Sequence, residues 1–248
     1  MDKFEKAFAH KANIGYVVAG YPNLNYTRDF INSLDGSALD LLEIGIPYSD
    51  PMADGKLISV ASFHAVKAGV TTDSVFDMLA TTKTSKCLVF LVYYNLIFAY
   101  GEDKFLSRAK EVGIDGLIVP DMPFEESEEF RAKCDALGLA LVPLVSVTSG
   151  ERAEKIAAAA SGFIYVVGTL GVTGGCQEPV ARVKTLVSNL KKHTSLPLAV
   201  GFGIKTNSDV RNAKSYADGA IVGTRIVDWT TNLSVEELNR EIAELFKD

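Results

Sequence analysis

The sequence predicts an α/β protein that forms a single (β/α)8 TIM barrel with an extra helix after the second strand. Eight short apolar runs, rich in Val, Ile and aromatic residues, alternate with amphipathic segments. Several of these runs lack a polar/apolar alternation, which is typical of parallel strands covered on both faces. The 248 residues provide about 31 residues for each unit, the size of a βα repeat. Because no composition break divides the chain, residues 1–248 are predicted to be one domain.

The elements are predicted in chain order from these runs and from helix start signals. The predicted strands cover residues 13–18, 39–46, 87–93, 116–119, 139–145, 162–167, 198–201 and 219–222. The predicted helices cover residues 57–67, 72–82, 102–112, 125–137, 180–192, 207–216 and 234–246. Thr71 is a plausible N-cap, and Ser234 with Glu237 has the spacing of a capping box. An open doubly wound sheet is the alternative, but Thr206 stands where a dinucleotide fingerprint has its third glycine.

Composition excludes several classes of function. The chain has 25 basic and 31 acidic residues, a net charge of −6, and no basic stripe, which is a poor balance for binding nucleic acid. The longest uncharged stretch, residues 156–177, contains five glycines and is a poor membrane span. The N-terminal segment has no apolar core typical of a signal peptide. We therefore expect no nucleic-acid partner and no membrane insertion.

Cysteine and histidine usage indicates a cytoplasmic protein without a metal. Cys87, Cys134 and Cys176 are an odd number of widely spaced cysteines without a CxxC pair, as expected in a reducing compartment. The three histidines have no ligand spacing between them or to the cysteines, so no metal site is predicted.

Two carboxylates follow the second predicted strand and are the candidate catalytic groups. Glu43 lies within an apolar strand near its C-terminal end, where barrel enzymes place their chemistry. A carboxylate there needs either a structural partner or a functional role. Asp54 follows in a loop and could instead cap the helix that begins near Lys56. Together the two acids form a plausible general acid/base arrangement at the mouth of a barrel.

Glycine-rich segments follow the sixth, seventh and eighth predicted strands. They comprise residues 168–175, Gly201 with Gly203, and Gly223 with Thr224. Glycine allows backbone N–H groups to approach an anion closely, and the loops after strands seven and eight form the recurrent phosphate site of TIM barrels. The alternative is that these glycines only permit tight turns. Their occurrence on adjacent strands favours a phosphate site.

Six segments in the same order resemble the tryptophan synthase alpha chain family. They are LLEIGIPYSDPMADG at residues 41–55, Tyr93-x-Asn95, DGLIVPDMPFEES at residues 115–127, GVTG at residues 171–174, AVGFGI at residues 199–204 and ADGAIVGTRIV at residues 217–227. The resemblance extends across nearly the whole chain, and the acidic motif together with GVTG is highly specific.

The resemblance implies a lyase that cleaves indole-3-glycerol phosphate to indole and glyceraldehyde 3-phosphate. It implies that Glu43 moves protons between the glycerol side chain and indole C3, and that Asp54 contacts the indole N–H. It also assigns substrate-binding residues, which are Tyr16, Leu91, Ile118, Leu144, Tyr165, Thr173 and Phe202. The phosphate-contacting positions that it implies are Gly174, Gly203, Gly223 and Thr224.

The resemblance further implies a beta subunit partner in an α2β2 complex. No cofactor is expected in this chain, and pyridoxal phosphate is expected only in the beta subunit. The loop of residues 47–55 resembles the segment that contacts the partner. The chain departs from the usual family pattern at Tyr21, Lys56 and Ser59.

Two alternatives to this function are a non-catalytic regulatory chain that binds a phosphate ester and activates the beta subunit, and another phosphate-ester barrel such as a phosphosugar isomerase.

Overall fold

A closed barrel of parallel strands forms the centre of the molecule. The structure, a computed structural model, describes residues 2–168, 180–201 and 203–247. Its strands are β1 (Ala12–Val18), β2 (Leu41–Gly45), β3 (Cys87–Leu91), β4 (Gly116–Ile118), β5 (Ala140–Leu141), β6 (Leu144–Ser146), β7 (Ile164–Val167), β8 (Leu198–Gly201) and β9 (Gly219–Val222). All pairings are parallel, in the order β5-β4-β3-β2-β1-β9-β8-β7-β6.

The barrel closes because β5 and β6 are two halves of one predicted strand. β5 pairs with β4 and β6 pairs with β7, and only Val142 and Pro143 separate the two halves. Val142 N–H donates to the Leu117 carbonyl at 2.8 Å, and Tyr165 N–H donates to the Pro143 carbonyl at 3.0 Å. The prediction of one continuous strand over residues 139–145 is therefore corrected. Proline has no N–H for the ladder, so the chain changes its partner strand at that point.

Helices surround the strands. They are α1 (Lys3–Ala7), α2 (Leu24–Ser33), α3 (Lys56–Lys67), α4 (Thr72–Leu79), α5 (Tyr94–Tyr100), α6 (Glu102–Glu111), α7 (Glu128–Ala136), α8 (Arg152–Ala158), α9 (Val180–Leu190), α10 (Asn207–Lys214), α11 (Thr224–Thr230) and α12 (Val235–Leu245). The extra helix after the second strand is present, because α3 and α4 both lie between β2 and β3.

Local start signals account for several helix boundaries. Thr71 caps α4 by accepting from the Ser74 N–H at 3.2 Å. The predicted capping box of α12 is present, with Ser234 N–H donating to the Glu237 carboxylate at 2.8 Å. Helix α5, a second helix between β3 and β4, was not predicted from the sequence. Gly101, with a φ of 89°, separates α5 from α6. A left-handed residue of this kind suits glycine and ends one helix before the next begins.

Two layers of apolar side chains hold the barrel together. The outer layer packs the helices against the outward faces of the strands. The interior layer contains residues from most strands, such as Ile14, Val89 and Ile221. At the N-terminal end of the barrel, Phe4 of α1 packs on Phe163 with ring centroids 6.3 Å apart. These rings close the barrel interior at this end, and Glu43 lies towards the opposite, C-terminal end of β2.

Two further features of the described residues concern membrane-spanning helices and cysteine thiols. Within residues 2–168, 180–201 and 203–247, no helix combines the length and the apolar character needed to cross a bilayer. Cys87 and Cys134 are buried free thiols, and Cys176 lies outside the described residues.

Candidate active site

Glu43 is a buried acid in the wall of a cavity at the C-terminal end of the barrel. It lies on β2, where it pairs in register with Tyr16 of β1 and Val89 of β3. Its side chain is only 1% exposed, and Oε1 has no hydrogen-bond partner among the described residues. Burial raises the pKa of Glu43 from 4.5 to about 8, because the charged form loses its hydration. Glu43 therefore keeps its proton at neutral pH.

Asp54 lies in the loop after β2 and is held by Tyr93 from the end of β3. Tyr93 Oη donates to Asp54 Oδ2 at 3.1 Å and accepts from the Ala53 N–H at 2.9 Å. Burial raises the pKa of Asp54 from 3.8 to about 6, and the hydrogen bond from Tyr93 opposes that rise. The alternative role of Asp54 as a helix cap is wrong, because Gly55 is the N-cap of α3 and no side chain caps it. Asp54 is thus ionised when Glu43 is still protonated.

Two tyrosines pack across glycines in the walls of the same cavity. Tyr16 of β1 extends over Gly45 of β2, and Tyr165 of β7 extends over Gly201 of β8. A Cβ at either glycine would overlap the tyrosine hydroxyl, so the two phenol rings require glycine on the neighbouring strand. Burial raises the pKa of both phenols well above 10, and the nearby carboxylates raise it further.

The glycine segments after β8 and β9 line the other side of the cavity. Gly203 follows β8, and Gly223 with Thr224 follows β9. Lys205 is the basic residue among the described residues that line the cavity. The cavity thus has carboxylates on one side and glycine backbone with a cation on the other.

The structure brings most of the predicted site residues together but not all of them. Tyr16, Glu43, Asp54, Leu91, Tyr165, Gly203, Gly223 and Thr224 line this one cavity. Ile118 is fully buried in the interior layer, and Leu144 lines a different cavity beside Arg131 and Arg152. Neither residue lines the cavity with Glu43 among the described residues. Thr173, Gly174 and Phe202 lie outside the described residues.

Sequence reasoning did not assign several residues of this cavity. Ile58 comes from the first turn of α3, Ile204 and Lys205 follow β8, and Ile221 lies on β9. In the sequence, Tyr93 stands out only as part of the segment Tyr93-x-Asn95 that carries the family resemblance. Its position at the end of the strand beside β2 was the signal that could have paired it with Asp54, because neighbouring parallel strands end at the same edge.

The arrangement suits a reaction that needs one acid and one anion at the same time. At neutral pH, Glu43 can give a proton to a bound carbon or oxygen, whereas Asp54 can accept a hydrogen bond from an N–H group. Leu91, Ile58 and Tyr165 add apolar surface to the wall of the same cavity. Among the described residues, no group of three His, Cys, Asp or Glu side chains is placed to hold a metal ion.

Comparisons with known proteins identify the family of the chain. Residues 3–247 match the family model described as tryptophan synthase alpha chain. A curated tryptophan synthase alpha chain of Campylobacter jejuni subsp. doylei is 45% identical over 248 residues, covering 100% of both chains.

Solved structures show the same fold. The tryptophan synthase subunit alpha from Campylobacter jejuni superposes with a TM-score of 0.91 at 45% identity, covering 98% of each chain. The subunit alpha from Legionella pneumophila has a TM-score of 0.88 at 30% identity, covering 99% of this chain and 97% of that one. A full-length family match, a shared barrel and a paired acidic site therefore lead to one conclusion: this chain belongs to the tryptophan synthase alpha chain family.

Proposed function

We propose that this chain cleaves indole-3-glycerol phosphate to indole and glyceraldehyde 3-phosphate, with Glu43 and Asp54 as its catalytic residues. The observation that carries the proposal is a pair of carboxyl groups that line one cavity, Glu43 with no partner for Oε1 among the described residues and Asp54 with a hydrogen bond from Tyr93. The pKa of Glu43 is about 8 and that of Asp54 is about 6, so at pH 7 one is an acid and the other an anion.

A single carboxyl group can carry both proton transfers of this reaction. Protonated Glu43 gives its proton to indole C3, which produces an indolenine cation that Asp54 stabilises at the ring N–H. The Glu43 carboxylate then takes the proton of the hydroxyl on the carbon attached to C3. As that carbon becomes an aldehyde, the electron pair of the C3–carbon bond returns to the ring and releases indole. Glu43 ends protonated, ready for the next cycle.

The remaining cavity residues would bind the two ends of the substrate. Tyr16, Leu91 and Tyr165 supply the wall around the indole side, and backbone at Gly203, Gly223 and Thr224 would contact the phosphate. By the family resemblance, Gly174 would join the phosphate site, Phe202 would pack on the substrate and Thr173 would close over it. Anchoring the phosphate away from the breaking bond fixes the orientation of the reacting carbon.

We also propose that a beta subunit docks on the loop of residues 47–55 and on α5. Met52 of this loop and Phe98 of α5 are 71% and 70% exposed, so both offer large apolar surface to a partner. Asn95 of α5 donates to Tyr48 Oη at 3.1 Å, which ties the helix to the loop that carries Asp54. Pyridoxal phosphate would belong to that subunit. Buried free thiols at Cys87 and Cys134 support a cytoplasmic location.

The direct test is indole release from indole-3-glycerol phosphate by the purified chain, with and without a beta subunit. We expect Glu43→Gln to lower the rate about 1,000-fold, because it removes the proton carrier but keeps the shape of the side chain. Glu241→Gln on the exposed face of α12 is the matched control and should leave the rate unchanged.

Two results would contradict the proposal. Unchanged turnover in Glu43→Gln would remove Glu43 from the chemistry. Binding of the substrate and stimulation of a beta subunit without any indole release by the natural chain would instead favour the regulatory alternative.

A further inference from the structure

The hydroxyl group of Tyr16 is a polar group in the cavity wall that the proposed chemistry does not use. Tyr16 is 5% exposed and lines the cavity together with Glu43 and Asp54. Its Oη makes no hydrogen bond to any of the described residues, unlike the hydroxyl of Tyr93, which is bonded to Asp54. A hydroxyl in a cavity wall that bonds none of the described residues can bond a ligand that enters the cavity in place of water.

The orientation of the ring places this hydroxyl between the two ends of the cavity. The Cβ end of Tyr16 lies against Gly223. If Gly223 carried a side chain, its Cβ would be 3.5 Å from Tyr16 Cβ. The hydroxyl end lies against Gly45, two residues beyond Glu43 on β2. The phenol therefore runs from the glycine side of the cavity to the carboxylate side.

The surroundings of Tyr16 make its hydroxyl a hydrogen-bond donor. Burial raises its pKa well above 10, and the negative charge of Asp54 disfavours a phenolate further. The O–H is therefore retained at every pH at which the protein would be assayed, and it needs an acceptor. The indole ring offers only an N–H donor, and the phosphate lies at the glycine side. The acceptors between these two ends are the hydroxyl oxygens of the glycerol chain.

We propose that Tyr16 Oη donates a hydrogen bond to a glycerol hydroxyl oxygen of the substrate, which makes Tyr16 a specificity-determining residue for a hydroxylated side chain. This inference rests on the proposed function, because it takes the same substrate in the same cavity. It goes beyond an apolar lining role for Tyr16, since it assigns the hydroxyl rather than the ring. Phenylalanine at this position would retain the wall of the pocket but lose the bond.

The experiment compares two ligands that differ only in those hydroxyls. Indole-3-glycerol phosphate is titrated calorimetrically into Glu43→Gln protein, which retains the substrate intact, with and without Tyr16→Phe. Indole-3-propyl phosphate, which has the same ring and phosphate but no hydroxyls, is titrated into the same two proteins. We expect Tyr16→Phe to weaken the glycerol ligand about tenfold and the propyl ligand less than twofold, as for the loss of one hydrogen bond.

Tyr26→Phe is the matched control, because Tyr26 does not line the cavity. Its hydroxyl donates a hydrogen bond to the Leu233 carbonyl at 2.9 Å, and the substitution removes that bond. It should change neither affinity. An equal loss for both ligands in Tyr16→Phe, or no loss for either, would overturn the inference.

The outcomes separate this inference from the proposed function. If neither ligand binds the protein that retains Tyr16, the substrate assignment and the role of Tyr16 are both wrong. If the glycerol ligand binds selectively through Tyr16 but the natural chain releases no indole, the inference stands and the proposed activity is wrong.

Discussion

Glu43 and Asp54 differ at neutral pH because their surroundings differ. Glu43 has no partner for Oε1 among the described residues and is fully enclosed, whereas Asp54 is partly exposed and accepts a hydrogen bond from Tyr93. Two carboxyl groups therefore acquire separate roles, because desolvation acts unopposed on Glu43 and is opposed at Asp54 by one hydrogen bond. The proposed reaction needs Asp54 ionised and Glu43 protonated at the same time.

This requirement predicts a bell-shaped dependence of kcat/KM on pH. The rate should fall below about pH 6 as Asp54 is protonated and above about pH 8 as Glu43 loses its proton. Tyr93→Phe removes the hydrogen bond that lowers the pKa of Asp54, so the acidic limb should move to higher pH. The measurement is indole release by the isolated chain from pH 5 to pH 9.

Tyr48→Phe is the control for this shift, because Tyr48 stacks near Tyr93 with centroids 5.2 Å apart but does not bond Asp54. An acidic limb that stays in place in Tyr93→Phe would show that another group sets it.

The two carboxylates could be identified from the sequence, but the hydrogen bond from Tyr93 to Asp54 could not. A buried strand acid and a loop acid at one barrel rim are visible in a sequence. The Tyr93 contact joins residues that are 39 positions apart, and its geometry depends on how the loop after β2 folds back. Ile118 and Leu144 were placed in the pocket by resemblance, but inward-facing positions lie at several depths in a barrel, and depth is not encoded in a strand pattern.

Among the strands, the position of each tyrosine depends on a glycine in the next strand. Gly45 at the end of β2 provides the space for the Tyr16 phenol, just as Gly201 at the end of β8 does for Tyr165. In the sequence, Gly201 indicates a phosphate loop or a tight turn, and the local pattern assigns no role to Gly45. The pairing becomes visible only when strand register is known, since Tyr16 pairs with Glu43 and its ring extends to Gly45.

This dependence predicts that Gly45→Ala acts on the site through Tyr16. The added Cβ would overlap the phenol, so we expect a loss of about 1–3 kcal/mol in the free energy of unfolding, as for other overpacked sites. In the Tyr16→Phe background the same change should cost less, because the atom in closest overlap is the hydroxyl oxygen. Urea unfolding of the four proteins in this cycle measures the coupling.

Gly36→Ala is the comparison, because a Cβ there meets no atom within 4 Å. Equal costs of Gly45→Ala with and without the Tyr16 hydroxyl would contradict the packing argument.

For the whole molecule, the barrel and its extra helix were predictable from the sequence, whereas the junction between β5 and β6 that closes the barrel was not. Eight apolar runs at regular spacing are a strong signal of the repeat, because each strand is buried on both faces. The division of the fifth run at Val142 and Pro143 depends on which neighbours the chain must reach to close the barrel. A local pattern cannot report that, since closure is a property of all strands together.

The buried acid that serves the chemistry also lowers the stability of the barrel as pH rises. Unfolded protein releases the Glu43 proton near its ordinary pKa of 4.5, whereas folded protein keeps it until about pH 8. Between these values the folded state binds more protons, so its stability falls with increasing pH. Glu43→Gln removes this loss, so between pH 4 and pH 8 the variant should gain on the order of 4 kcal/mol in unfolding free energy relative to the natural chain. Urea unfolding at both pH values measures this gain, and Glu241→Gln should show none. Parallel stability curves for Glu43→Gln and the natural chain would mean that Glu43 is ionised in the folded barrel.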